Sequence, residues 1–136
     1  MSSIVIDTSA LAAIVFNEPE RDAFMAAILT ATSVLICSAT ILETRLVVQS
    51  RKGHEGVLVL NELLNLPLFD CIPPTLADVD AAYAAFIHYG KGRGHPAQLN
   101  FGDLFSYATA KTRGLPLLYK GNDFAQTDLE PVWAGQ

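Results

Sequence analysis

Three consecutive β-branched apolar residues, Ile4, Val5 and Ile6, run straight into Asp7. A run with no polar alternation reads as a buried strand. An unpaired carboxylate inside such a strand would be costly, so Asp7 marks the point where the chain leaves the sheet. What else collects at that sheet edge decides how the chain is to be understood.

The same pattern of short apolar runs alternating with helix-like stretches continues to the C-terminal region. Periodicity and breakers predict a strand over 4–6, a helix from Ser9, a strand over 33–37 and a helix from Ser38. A helix in EGVLVLNELLN, a strand in LFDCI and a helix in TLADVDAAYAAFIHYG follow. The basic loop, a helix in FGDLFSYATAKTR and a strand in PLLYK complete the series. Gly90, Gly114 and Pro116 stand where helices should stop. Alternation of this kind, with few hairpin signals, implies an α/β fold whose mainly parallel sheet of four to five strands is flanked by helices on both faces. There is no internal repeat, low-complexity tract or linker, and 136 residues suit a single domain spanning 1–136. In open sheets of this class ligands bind beyond the carboxyl ends of the strands, at the point where the strand order reverses.

Half the residues are hydrophobic (51%) and only 17% are charged, which excludes a disordered chain and implies either a dense core or apolar surface kept for a partner. No leader-like segment and no stretch long enough for a membrane span is evident, so a soluble, cytoplasmic protein is expected. Cys37 and Cys71 lie inside strand-like runs without metal or redox spacing and are expected to be buried small hydrophobes. The net charge of −5 argues against a surface that attracts nucleic acid everywhere. A local exception is the Gly-rich basic loop HYGKGRGH, where Lys91, Arg93 and His95 are placed to follow a phosphate backbone, although a solvated loop explains the same residues.

Four acids share one kind of position, where a strand has just ended or a helix is beginning: Asp7, Glu43, Asp103 and Asp123. Each has an ordinary structural use. Asp7 suits a helix cap, Glu43 suits a capping box with Thr40, Asp103 offsets a helix dipole and Asp123 sits in a Gly-Asn-Asp turn. Together they imply more. Carboxylates within ~5 Å repel by about 3 kcal/mol per pair at an effective dielectric of about 20. A dense cluster therefore requires protons or cations, and oxygen ligands without Cys or His select hard ions such as Mg²⁺ or Mn²⁺. The implied chemistry is metal-assisted phosphoryl transfer. Asp7 and Asp103 are the first choices for direct ligands, Glu43 for a ligand or for orienting water, and Asp123 for a second ion or an outer position. Thr8, Ser9 and Asn122 would align carboxylates and waters.

The motifs VIDTSAL, SATILETRLVV, LNFGDLFSYATAK and LLYKGNDFAQTDL, with RKGHEGVLVLNELL between them, resemble the acidic motifs of PIN-domain ribonucleases, in particular the VapC-type toxins of type II toxin-antitoxin systems. The resemblance runs nearly end to end. It implies a three-layer PIN-like fold and a Mg²⁺- or Mn²⁺-dependent endoribonuclease acting on RNA, inhibited by a cognate antitoxin. It also implies a homodimer within a larger toxin-antitoxin assembly. The acidic roles carry to Asp7, Glu43, Asp103 and Asp123, and the small polar residue after the first acid to Thr8 or Ser9. The loop GKGRGHPAQLN is a residue longer than expected between Arg and His, which leaves His95 without a matched position.

Two other classes compete. A receiver domain also has a parallel sheet, an acid after its first strand and a late Lys, here Lys120, but its phosphoacceptor would have to be Asp70, inside LFDCI. An interaction module would use the acids only as solvated caps.

Overall fold

The computed structural model describes residues 2–132. Four strands, β1 (Ile4–Ile6), β2 (Val34–Cys37), β3 (Phe69–Ile72) and β4 (Leu117–Leu118), form one sheet in the order β3-β2-β1-β4. Every pairing is parallel, with Ile4 opposite Val34, Val5 opposite Leu117 and Val34 opposite Phe69. The chain steps outward from β1 to β2 to β3 and then returns to the other side of β1, so the order reverses between β1 and β4. A backbone bridge from Leu117 to Pro131 begins a further pairing on the outer edge of β4.

Among the described residues five α-helices cover the sheet: α1 (Thr8–Val15), α2 (Arg21–Thr30), α3 (Ser38–Leu64), α4 (Leu76–Tyr89) and α5 (Phe101–Arg113). Period-two alternation in the strands sorts the core into two layers. Ile4, Ile6, Val34, Ile36 and Leu118 face α1, α2 and α3, joining Leu11, Ile28, Val48 and Leu60. Val5, Leu35 and Leu117 face the opposite way and meet Ala85, Tyr107 and Ala110 of α4 and α5. Buried on both sides, β1 cannot alternate polar and apolar residues, which is why it reads as a continuous apolar run.

Two details depart from expectation. The helix begun at Thr8 ends at Val15, and α2 starts separately. Between them Asn17 adopts φ 55, and Pro19 lacks the N–H that a continuing helix would use. Cys37 is buried, but Cys71 is exposed on β3, the sheet's open edge, so the expectation of burial fails for it. The expected separation of two helices across the middle is met in another form. α3 runs through to Leu64, but Gly53 breaks its backbone with φ 66 and ψ −164, a conformation open to a residue without Cβ. Among the described residues no helix is long and apolar enough to cross a membrane.

Candidate active site

Asp7 leaves β1 at the point of strand-order reversal, and its backbone N–H donates to Leu118 O of β4 at 3.0 Å. It caps α1. Its Oδ2 accepts the Ser9 backbone N–H at 3.0 Å and the Ser9 hydroxyl at 2.7 Å. Its Oδ1 accepts the hydroxyl of Ser106 from α5. Ser9 Oγ in turn accepts the Lys120 backbone N–H at 2.9 Å, so β4, α1 and α5 all hold this one carboxylate.

Glu43 lies near the start of α3. The Thr8 hydroxyl donates to its Oε1 at 2.6 Å and stands 2.8 Å from the Thr44 hydroxyl. The expected capping box with Thr40 is absent, since the buried Thr40 hydroxyl has no partner among the described residues. Glu43 turns instead toward the N-terminus of α5, and a Cβ built on Gly102 would overlap its Oε2. A side chain at position 102 would displace the Glu43 carboxylate from this place. Burial raises the pKa of Glu43, the Thr8 hydrogen bond opposes that rise, and the charge of Asp7 adds to it.

Asp103 completes a capping box at the head of α5. Its N–H donates to Asn100 Oδ1 at 2.9 Å, and its Oδ2 accepts the Asn100 N–H at 3.0 Å. The dipole role expected for it is therefore present, but it occupies only one oxygen. Burial pushes this carboxyl up to about 7. The Asn100 backbone bond opposes the rise, while the charges of Asp7, Asp123 and Glu43 each add to it. Asp103 is thus within electrostatic reach of the other three acids, and Glu43 of Asp7. Asp123, just ahead of a single turn over Phe124–Gln126, is exposed at the rim. Asn122 is exposed beside it and takes part in none of the side-chain hydrogen bonds among the described residues.

The chain's cations are engaged elsewhere or stand apart. Lys120 pairs with Glu18 at 3.1 Å and Glu20 at 3.2 Å, Arg113 with Asp78 at 2.9 Å and Lys111 with Asp128 at 2.7 Å. Among the described residues no ion pair neutralises any of the four acids. An oxygen-only set without a protein counter-charge suits a hard divalent ion. No three of the described acids, histidines or cysteines close around one point.

Lys91 and Arg93 are exposed in the loop joining α4 to α5. That loop is pinned at its base, with Lys91 N–H donating to Leu99 O at 2.8 Å and Leu99 N–H to Tyr89 O at 2.9 Å. Arg93 reaches back over the Phe86 ring, 5.8 Å from its centroid. His95 does not join the acids. Its ring packs on Tyr89, centroids 4.9 Å apart, and its Nδ1 accepts the Ala97 N–H at 3.0 Å.

Residues 4–130 match the PIN domain family. Ribonuclease VapC30 of Mycobacterium tuberculosis is 45% identical over 129 residues, a span covering 95% of this chain and 98% of that one. The chain belongs to the PIN-domain family, among the VapC ribonucleases. Ribonuclease VapC of Mycolicibacterium smegmatis is 42% identical, with 95% and 99% of the two chains covered. In fold, this PIN domain matches the sarcin-ricin loop cleaving toxin VapC20 of M. tuberculosis with a TM-score of 0.78 at 17% identity, covering 95% and 98% of the chains. It also matches VapBC2 of Rickettsia felis bound to a promoter DNA fragment, with a TM-score of 0.77 at 14% identity and 98% and 99% covered.

The receiver alternative has no footing in this PIN domain, because Lys120 serves Glu18 and Glu20 and Asp70 is exposed on the edge strand. Sequence reasoning missed three residues of the site: Ser106, Gly102 and Asn100. Ser106 had a signal, since it follows Asp103 by three positions and shares its helix face. Asn100 had one too, in the N-x-x-D spacing of a capping box. Gly102 had none, because its use is a contact with a residue 59 positions earlier.

Proposed function

We propose that this chain is the toxin of a type II toxin-antitoxin pair, a Mg²⁺- or Mn²⁺-dependent endoribonuclease that hydrolyses RNA phosphodiester bonds at the Asp7, Glu43, Asp103, Asp123 cluster. The observation that supports the reading is that the charges of Asp7, Glu43 and Asp123 all act on the buried Asp103 beside the reversal point of a parallel sheet, with no described ion pair neutralising any of the four. A divalent ion bound there supplies an activated water and neutralises charge on the phosphate. Asp7 and Asp103 are the direct ligands. Glu43 joins them or orients the attacking water, and Asp123 holds an outer position or a second ion. Thr8 aligns Glu43, Ser9 aligns Asp7, and Asn122 orders water at the rim. Lys91 and Arg93 grip substrate phosphates from the loop that leads into α5.

Two partners follow from exposed apolar surface. Leu76, Val79, Tyr83 and Ile87 form a stripe along α4, beside an apolar groove of about 350 Å³ shared with Phe101 and Phe105 of α5; a second copy of the chain covers it as a homodimer. The antitoxin takes the outer face of α3, where Leu42 and Leu46 are exposed one turn apart on either side of Glu43.

Cleavage of RNA by the purified chain with Mn²⁺, with EDTA and with Asp7→Asn tests the reading. Activity present only with the metal and the intact Asp7 is expected. Cleavage that survives EDTA or Asp7→Asn overturns it.

A further inference from the structure

Ser106 stands in the interior of α5, 1% exposed, on the face turned toward the sheet. A hydroxyl in a helix interior ordinarily bonds back to the carbonyl one turn earlier. Thr30, Thr44, Ser50, Thr109 and Thr112 all do so in this chain. Ser106 does not. Its one proton goes to Asp7 Oδ1, across a sequence separation of 99 residues. A buried hydroxyl costs stability unless it is bonded, and alanine would suit the helix better, so this contact is what accounts for a serine here.

The two oxygens of Asp7 are not equivalent. Oδ2 receives both Ser9 donors, which fills its two acceptor sites. Oδ1 receives only Ser106 and keeps one acceptor site. We infer that Ser106 is a positioning residue for the nuclease reaction: it fixes the Asp7 carboxylate plane from the α5 side, so that the remaining lone pair of Oδ1 is presented to the metal. The inference rests on the proposed role of Asp7 as a metal ligand. It adds that the ligand's orientation is set by the helix that also carries Asp103, which couples the two acids mechanically.

Removing a group that orients a metal ligand typically costs 10–100-fold in metal affinity or activity. The test compares Ser106→Ala, Asp7→Asn and, as a control on the same helix, Thr109→Ala. Mn²⁺ affinity of the metal-free protein is measured by titration calorimetry, kcat and KM on RNA by cleavage assay, and the melting temperature by calorimetry. Ser106→Ala is expected to weaken Mn²⁺ binding roughly 10- to 100-fold and to lower kcat with KM unchanged. Thr109→Ala, whose hydroxyl serves only the helix backbone, is expected to lower the melting temperature while leaving Mn²⁺ affinity and kcat as in wild type. Wild-type affinity and kcat in Ser106→Ala overturn the inference, as do losses shared equally by Thr109→Ala. If Asp7→Asn abolishes both while Ser106→Ala changes neither, only the role of Ser106 fails. If Asp7→Asn itself binds Mn²⁺ and cleaves normally, the site assignment fails with it.

Discussion

Replacing Asp103 by asparagine should stabilise the metal-free protein at neutral and alkaline pH while destroying its function. The carboxyl's folded value of about 7 lies above the ordinary 3.8, so the folded state holds the proton more tightly than the unfolded chain between those values. Stability of the metal-free protein therefore falls as pH rises from about 4 to 7. A shift of about three units is worth at most ~4 kcal/mol at 1.36 kcal/mol per unit. Asp103 is buried, and relaxation and water penetration around its carboxyl leave roughly 1–2 kcal/mol of that ceiling. The substituted amide would carry no charge at any pH, yet its side-chain oxygen would still accept the Asn100 N–H. For a domain of this size the variant should melt roughly 3–8 °C higher than wild type in EDTA at pH 8. At pH 3.5, below the ordinary 3.8, Asp103 is largely protonated in both the folded and the unfolded chain and the difference should nearly vanish. Added Mn²⁺ should raise the wild type more than the variant, because the lost carboxylate is one of the proposed ligands. Differential scanning calorimetry at the two pH values, with EDTA and with Mn²⁺, measures all of this. A variant that melts at or below wild type at pH 8 without metal, or gains as much from Mn²⁺, refutes the reasoning.

Gly102→Ala places a Cβ on top of the position of Glu43 Oε2, so Glu43 must swing out or α5 must retreat; cleavage should drop about 10-fold or more with a smaller loss of melting temperature, read by kinetics and thermal melts. Neutralising Lys91 and Arg93 together should reduce the slope of log K against log salt for RNA binding by about 1.5 to 2 and leave Mn²⁺ affinity unchanged, measured by fluorescence anisotropy across salt concentrations. Tyr83→Lys should convert the proposed homodimer to monomer by charging the apolar stripe of α4, with sedimentation velocity as the readout. Leu46→Glu should weaken antitoxin binding without altering cleavage by the free toxin, checked by calorimetry and the RNA assay.

The parts of this molecule governed by local pattern could be read directly. The run Ile4 to Ile6 is buried on both faces because β1 is central, and FGDLFSYATAKTR coincides with α5 because Asn100 and Gly114 bound it. The positions of Asp7 and Asp103 were legible for the same reason, as one ends β1 and caps α1 and the other opens α5. Contacts across the fold were not. The seat of Glu43 on Gly102 and the bond from Ser106 to Asp7 depend on how α3 and α5 dock on opposite faces of the sheet, which no local spacing encodes. The exposure of Cys71 was hidden too, because a short apolar run looks the same on a central strand as on an edge.

The acids are drawn from both sides of the sheet, and this has a bearing on when the molecule becomes dangerous. Glu43 arrives with the layer of α1, α2 and α3, Asp103 with the layer of α4 and α5, and Asp7 sits on the strand between them. A chain emerging from synthesis with only its first layer docked holds two of the four acids and lacks the glycine seat and the serine that orient them. On the proposed assignment a scissile bond would meet a complete centre only after the second layer closes. The nuclease would then gain its activity with its last docking step, and a partner bound to the first layer alone would meet the chain before it can cut.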